Sequence, residues 1–149
     1  MKRVRRSLVV FASIFAVTAV SAWVAFAQEA GRANVIPNET LQWVDAGIPG
    51  VSGATVAGDM KAGPSRFYWK YKAGFVAPLH HHSADHFVST ISGTLVLITD
   101  GKENKLAPGS YFSLTGKKPH GARCEGTVDC VMFIEAHAAW DIVPEAAQP

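Results

Sequence analysis

The sequence contains little charge and no repetition. Charged residues make up 17% of its 149 positions, whereas 48% are hydrophobic and 10% are aromatic. No internal repeat and no low-complexity segment is present. This composition excludes a disordered or collagen-like chain and predicts one compact domain.

Positive charge is scarce beyond the N-terminus. The formal net charge is +2, but four of the 14 Lys and Arg residues lie within the first six positions. From Gln28 onward, 10 Lys and Arg stand against 12 Asp and Glu, a net charge of −2. A chain with this balance lacks the basic surface that nucleic-acid binding requires, so we expect no nucleic acid among its partners.

The N-terminus has the pattern of an export signal. Its basic residues end at Arg6, an apolar run covers 8–26, and positions 25–27 read Ala-Phe-Ala, a small-residue cleavage site. We therefore predict a signal peptide over residues 1–27, cleaved after Ala27, and a secreted or periplasmic protein. The alternative is a retained anchor, because about 20 apolar residues can span a bilayer. Only such an uncleaved leader would bring the chain into contact with a membrane.

The chain has two cysteines, Cys124 and Cys130. The five residues between them are mostly polar and include Gly126, which indicates a turn between two strand-like runs. In an oxidising compartment, a disulfide that closes such a hairpin is expected, and two buried free thiols are the alternative. A catalytic cysteine is disfavoured because Arg123 is the only basic neighbour.

No stretch of the mature chain shows the 3.6-residue apolar period of an amphipathic helix. Short β-type runs alternate instead with turn signals such as Asp100-Gly101. This pattern predicts an all-β sandwich or barrel over residues 40–143, preceded by a loose arm over 28–39 and followed by a tail over 144–149. The predicted strands cover 41–44, 54–58, 66–72, 86–91, 94–99, 110–114, 120–124 and 128–135.

Five of the six histidines lie between positions 80 and 120. On an extended segment, His80 and His82 share one face, close enough for two ring nitrogens to converge on one ion. His86 follows after a possible turn, and His120 begins another predicted strand. Neutral imidazoles suit Zn, Fe, Ni, Mn, Co or Cu, so we expect one divalent transition metal ion as cofactor.

These histidines, with three glycines, resemble the two sequence motifs of the cupin superfamily. The first motif is written G-x5-H-x-H-x3-E-x6-G, and the second G-x5-P-x-G-x2-H-x3-N. The matching positions are Gly74, His80, His82, His86 and Gly93 in the first motif, and Gly109 and His120 in the second.

The match has departures. His86 stands where the family usually has glutamate, Thr115 and Lys117 replace the proline and glycine of the second motif, and Cys124 replaces its asparagine. The resemblance covers residues 63–135, somewhat more than half of the mature chain. It is closest to small exported single-domain cupins.

The resemblance implies a cupin-type β-barrel, also called a jelly roll or double-stranded β-helix, with a metal ion on its inner face. The fourth ligand is either His86 or its neighbour Asp85. His81 is expected to face solvent, and His137 to lie at the surface or behind the ligands. The expected metal ligands are His80, His82, His86 and His120.

The resemblance also implies a metal-dependent enzyme, in the first place a dioxygenase-type oxidoreductase acting on a small enolisable or phenolic compound. A four-histidine set leaves the ion's charge uncompensated and makes it a stronger Lewis acid, so a non-redox isomerase, lyase or cyclase fits as well. A non-catalytic metal- or ligand-binding module is the third reading. Tyr71, Tyr111 and Glu135 are candidate proton carriers if they face the cavity. A homodimer is possible if the arm pairs with an uncovered sheet edge.

Overall fold

The computed structural model describes residues 33–146, so the predicted signal peptide and the first residues of the arm lie outside the described residues. The described residues from 36 to 146 belong to one compact unit. Its first element is a 3₁₀ turn, Asn38–Thr40. Within the described range, no helix has the length and apolar character needed to cross a membrane.

Eleven strands make up the rest of the regular structure in residues 33–146. They are β1 (Val44–Asp45), β2 (Val51–Gly58), β3 (Ser65–Tyr71), β4 (Val76–His81), β5 (His86–Ser92), β6 (Thr94–Thr99), β7 (Lys102–Leu106), β8 (Tyr111–Leu114), β9 (His120–Glu125), β10 (Cys130–Ala136) and β11 (Val143–Pro144).

The strands form two antiparallel sheets. One has the order β1-β2-β3-β10-β5-β8, and the other the order β11-β4-β9-β6-β7. Chain segments cross between the sheets, because β3 and β5 belong to the first and β4 to the second. This arrangement confirms the predicted all-β, cupin-type jelly roll.

The side chains that fill the space between the sheets alternate along each strand. In β3, Phe67, Trp69 and Tyr71 are buried, whereas Arg66 is exposed. Met132 of β10 is in register with Trp69 and is also buried. Burial of this aromatic row stabilises the fold by the hydrophobic effect. The same side chains line the interior in which the histidines lie.

Seven of the eight predicted strands agree with observed strands to within three residues at each end, whereas the strand predicted at 41–44 is reduced to β1. Three strands were not predicted. The sequence of β4 contains a proline and shows no alternation of apolar and polar residues. The strand β7 lies at a sheet edge and is almost entirely polar. Neither segment therefore has the alternating pattern by which strands are predicted. The third, β11, pairs Pro144 with His80, so the sheet extends into the segment expected to be a tail.

Cys124 and Cys130 are joined by a disulfide with an S–S distance of 2.12 Å. The bond does not close a hairpin as expected, because β9 belongs to one sheet and β10 to the other. Both cysteines are almost completely buried, with 2% and 0% of their surface exposed. The disulfide therefore ties the two sheets together at one end of the barrel.

Candidate metal centre

Four histidine rings converge between the two sheets. His80 lies in β4, His82 directly follows that strand, and His86 and His120 are the first residues of β5 and β9. Pairing of β4 with β9 places His80 opposite His120. All four residues are buried, with at most 6% of their surface exposed. The predicted set is thus gathered in one place from three strands.

Three of the rings form the tighter group. One ring nitrogen each from His80, His82 and His120 lies within 4.8 Å of the other two. The ring of His86 lies beside this triad, 4.8 Å from the ring of His82 and 5.8 Å from that of His120, centre to centre. Nitrogens bound to one ion at about 2.1 Å lie up to about 4 Å apart, so small ring rotations would bring the triad onto a shared ion.

Each of the four rings uses its Nδ1 atom for a hydrogen bond to a backbone carbonyl. A carbonyl can only accept, so Nδ1 carries the proton and Nε2 keeps a free lone pair. This tautomer leaves Nε2 available to bind a metal ion, and the hydrogen bond of the second nitrogen fixes it. The donor–acceptor pairs are His80 to Pro78 (2.7 Å), His82 to Asp141 (2.5 Å), His86 to Ala84 (3.1 Å) and His120 to Lys118 (3.0 Å).

The four rings are held in the uncharged form. Burial lowers the pKa of His80 and His86, lowers that of His82 to about 3 and lowers that of His120 to about 4. The physical cause is loss of hydration of the imidazolium, which the hydrogen bonds to carbonyl groups offset only in part. Because metal binding requires neutral imidazole, this donor set fits a divalent transition metal ion.

The site is covered by residues 137–146, which we call the C-terminal strap. Trp140 stacks on the ring of His82 at 3.8 Å between ring centres. The carboxylate of Asp141 accepts hydrogen bonds from the backbone N–H and the hydroxyl of Ser83, at 2.7 and 2.6 Å. The backbone carbonyl of the same Asp141 is the acceptor for His82. The strap therefore both shields and orients one of the four rings.

Sequence reasoning did not identify Trp140 or Asp141. They lie beyond the matched motifs, and Asp141 orients His82 through its backbone carbonyl, which leaves no side-chain signature. Their position after the last long strand gave no indication that the chain returns across the site.

The remaining candidate residues lie elsewhere. Asp85 is exposed, and its carboxylate accepts a hydrogen bond from the N–H of Gly116 at 2.6 Å, so it is not grouped with the rings. His81 points away from its neighbours as expected, but it is half-buried against Glu145, with 2.6 Å between Nδ1 and Oε1. His137 is an exposed surface residue.

Of the three candidate proton carriers, only Tyr71 lies inside the barrel. Burial raises its pKa to about 12, so its hydroxyl stays protonated at neutral pH. Tyr111 has 60% of its surface exposed. Glu135 faces outward and pairs with Arg66 at 2.9 Å.

Two cavities adjoin the rings. A small one of about 30 Å³ borders His82, His86 and His120, beneath Trp140, and has room for one or two water molecules. A larger one of about 200 Å³ borders His80. Trp69 and Tyr71 line both cavities, so the two lie on either side of these side chains.

The comparisons with known proteins point to one family. The family model described as Cupin domain matches residues 67–135. No curated protein matches the sequence.

Several solved structures share the fold. KdgF from Halomonas sp. is 21% identical, with a TM-score of 0.60 over 71% of this chain and 94% of its own. The polyketide cyclase RemF from Streptomyces resistomycificus is 13% identical, with a TM-score of 0.65 over 78% and 88%. A mutant of salicylate 1,2-dioxygenase from Pseudoaminobacter salicylatoxidans, in complex with gentisate, is 15% identical, with a TM-score of 0.54 over 64% and 30%.

Proposed function

The chain belongs to the cupin superfamily, and we propose that it is a metal-dependent enzyme that oxidises a small enolisable or phenolic molecule in a dioxygenase-type reaction. The observation that carries this proposal is the set of four buried, neutral imidazoles, each with Nδ1 bonded to a carbonyl and Nε2 free, beside an apolar cavity.

His80, His82 and His120 would hold the ion, with His86 as the candidate fourth ligand. A divalent ion there would supply a positive charge that attracts an enolate or phenolate oxygen and, for a redox-active metal, an electron relay. The protein's own contribution is to present uncharged nitrogen donors and to surround them with apolar walls that exclude water.

The shortage of proton-transferring groups favours the oxidative reaction. Among the described residues, and apart from the histidines themselves, Tyr71 is the only titratable residue that lines the two cavities. Its pKa of about 12 keeps the hydroxyl protonated, so it cannot accept a proton near neutral pH. An isomerase, lyase or cyclase needs a group that accepts and returns a proton near neutral pH. A dioxygenase-type reaction places both oxygen atoms in the product, so the substrate supplies the electrons and no external reductant is needed.

A non-redox Lewis-acid reaction is the second candidate, and one observation favours it. The ring cluster contains histidines alone, because Asp85 is turned away and bonded to Gly116. Without a carboxylate, the higher oxidation state of a bound metal is less stabilised. Oxygen consumption separates the two candidates.

Metal content and oxygen uptake test the proposal. We expect the purified protein to hold one metal ion per chain and to consume oxygen with a panel of phenols and 1,3-diketones. His80→Ala and His120→Ala should each lose the metal and the activity, whereas the exposed His137→Ala should keep both. Stoichiometric metal without oxygen uptake, but with conversion of a substrate, would support the Lewis-acid reaction instead.

We also propose that the chain is exported and cleaved after Ala27. The buried Cys124–Cys130 disulfide supports this, because disulfides persist in oxidising compartments. Fractionation of cells followed by mass spectrometry should find a periplasmic or secreted protein that begins at Gln28. A product that begins at Met1 and stays with the membrane would indicate a retained anchor.

A further inference from the structure

The outer faces of the two sheets differ in how they cover their apolar side chains. On the sheet that contains β6, Val96 lies in register between Lys105 and Arg123 and is completely buried, with 0% of its surface exposed. Ion pairs hold these two side chains in place, from Arg123 to Glu103 at 2.7 Å and from Lys105 to Glu125 at 2.8 Å. Long charged side chains can cover apolar surface while their ends stay hydrated, so this face is suited to water.

The outer face of the other sheet leaves apolar side chains bare. In β5, residues 86, 88 and 90 are buried, whereas Phe87, Ser89 and Ile91 point outward. Phe87 has 36% of its surface exposed, Ile91 has 49%, and Tyr111 of β8 has 60%. Ser89 is in register with Phe133 of β10 on one side and with Tyr111 on the other.

This exposed area extends across four strands. Phe133 and Val131 are half-buried outward residues of β10, and Tyr68 of β3 packs on Phe133 with 5.3 Å between ring centres. Large exposed apolar patches on a soluble protein mark interaction sites. The outer patch, as we call it, consists of Tyr68, Phe87, Ile91, Tyr111, Val131 and Phe133.

The charges beside the outer patch do not favour a charged partner. Glu135, the next outward residue of β10, pairs with Arg66 at 2.9 Å, and Lys70 lies over the ring of Trp43 at 3.9 Å. Within residues 33–146, no other Asp, Glu, Lys or Arg occupies an outward position of β3, β10, β5 or β8. Two copies of the chain can therefore meet here without repulsion between unpaired charges, whereas an anionic lipid surface gains little attraction.

The size of the outer patch indicates how tightly a second copy would bind. Four strands about 4.8 Å apart and four residue steps of about 3.3 Å give an area of roughly 14 Å by 13 Å. With the width of the side chains at its rim, the patch covers roughly 450 Å² on each copy, so two copies in contact bury about 900 Å². This is below the standard size of a stable interface and is typical of weak, reversible association.

We propose that the outer patch is the interface of a homodimer, in which two copies pack face to face about a two-fold axis near Ser89. Along β5, Ser89 lies between Phe87 and Ile91. Across the sheet, it lies between Phe133 and Tyr111. A two-fold axis brings the same surface of both copies together, so the residue at the centre of the patch meets its own copy. This interface differs from the pairing of the arm with a sheet edge that the sequence suggested, and it goes beyond the proposed function because it needs no metal.

Sedimentation equilibrium of the purified protein measures the association. We expect a reversible monomer–dimer equilibrium with a dissociation constant of about 1–100 µM, as suits an interface of this size. A protein that remains monomeric at about 500 µM would overturn the proposal. Binding of that monomer to phosphatidylglycerol vesicles would identify a lipid surface as the occupant instead.

Two exposed apolar residues on opposite outer faces provide a matched pair of variants. Ile91 belongs to the outer patch, whereas Val76 of β4 lies on the other sheet with 61% of its surface exposed. Ile91→Glu should raise the dissociation constant by at least about 10-fold, because it places an unpaired carboxylate in the interface of each copy. Val76→Glu should leave it unchanged. Association that is equally strong in both variants would overturn the proposal, whichever other part of the chain causes it.

The position of the axis can be tested with a single reactive thiol, because the two native cysteines are joined in the disulfide. Ser89→Cys, treated with a short bismaleimide, should give a covalent dimer. Asn104→Cys, on the exposed edge strand β7, should give at least about 5-fold less. Adding Ile91→Glu to Ser89→Cys should abolish the cross-link. Equal cross-linking at positions 89 and 104 would overturn the face-to-face arrangement.

Discussion

Lys117 adopts a left-handed backbone conformation, with φ of 66°, at the position where the second cupin motif has glycine. Its backbone N–H donates to the carbonyl of His82 at 2.8 Å, which ties this turn to a candidate ligand. A side chain at positive φ is strained, whereas glycine adopts that conformation freely. The sequence showed that lysine replaces the motif glycine. It did not show that Lys117 keeps the positive φ, and with it the hydrogen bond to His82, at a cost in backbone strain.

We therefore expect Lys117→Gly to raise the free energy of unfolding by up to about 1 kcal/mol, since relief of strain exceeds the added entropy of the unfolded chain. Urea unfolding measures the change. Lys102→Gly, on an exposed strand position, is the control and should lower stability instead. A loss of stability in both variants would mean that Lys117 is not strained.

The buried histidines make the metal-free protein sensitive to acid. The pKa of His82 is lowered to about 3 and that of His120 to about 4, so the folded state resists protonation that the unfolded chain accepts below about pH 6.5. Stability is therefore complete above that pH and is lost as the pH falls towards 4.

Thermal unfolding of the metal-free protein between pH 8 and pH 4 checks this dependence. The decrease should be smaller in a His82→Gln variant, which has no imidazole to protonate at that position. A melting temperature that stays constant from pH 7 to pH 4.5 would contradict the assignment.

Among whole elements, the turns between strands decide how the rings meet. The period-two spacing of His80 and His82 indicated that the two rings share one face, and the motif match added His120. The structure brings one ring nitrogen of each residue within 4.8 Å of the other two. The turn at residues 83–85 was only suggested as a possibility. Its shape depends on Gly116, which lies more than 30 positions away, and pairing at that distance leaves no local pattern.

The close approach of Gly116 to the turn at residues 83–85 can be tested by mutation. A Cβ added there would lie 2.4 Å from the carbonyl oxygen of Ser83, so Gly116→Ala must displace the turn between His82 and His86. We expect a loss of about 1–3 kcal/mol in stability and metal binding weakened by about 10-fold or more. Gly63→Ala, where the added Cβ meets no atom within 4 Å, should change neither quantity. Equal metal affinity in the two variants would show that the turn tolerates the shift.

The disulfide is a second contact between elements, because it joins β9 of one sheet to β10 of the other. Its loop is short, so reduction should lower the free energy of unfolding by about 2–3 kcal/mol on the loop-entropy argument. Urea unfolding with and without dithiothreitol measures this. The reductant should have no effect on a Cys124→Ala/Cys130→Ala double variant, and an equal effect on both proteins would assign the change to another cause.

For the whole molecule, the decisive feature is that the chain returns across its own barrel. The two sheets were predictable as a class from short alternating runs and turn residues, and the motif match placed the candidate metal ligands on the inner face of the barrel. The strap was not predictable, because Asp141 reaches His82 from 59 positions away through a backbone atom. Contacts of this kind depend on the closed barrel and not on any local preference.

The Asp141 carboxylate, which holds the strap to Ser83, can be removed by a mutation that leaves the four histidines unchanged. Asp141→Ala deletes both hydrogen bonds to Ser83 and should let the carbonyl that orients His82 move. We expect metal affinity to fall by about 10-fold, measured by competition with a chelator. Glu145→Gln, which alters the strap on the side of the outward-facing His81, is the matched control and should bind metal normally. If the two variants bind alike, the strap does not position His82.

The strap also has a consequence for biogenesis. A nascent polypeptide that has emerged only as far as Ala136 already contains ten of the eleven strands, yet it lacks the carbonyl that fixes His82. We expect the site to reach its full metal affinity only once residues 137–146 have left the ribosome, so that loading with metal would be completed after translation.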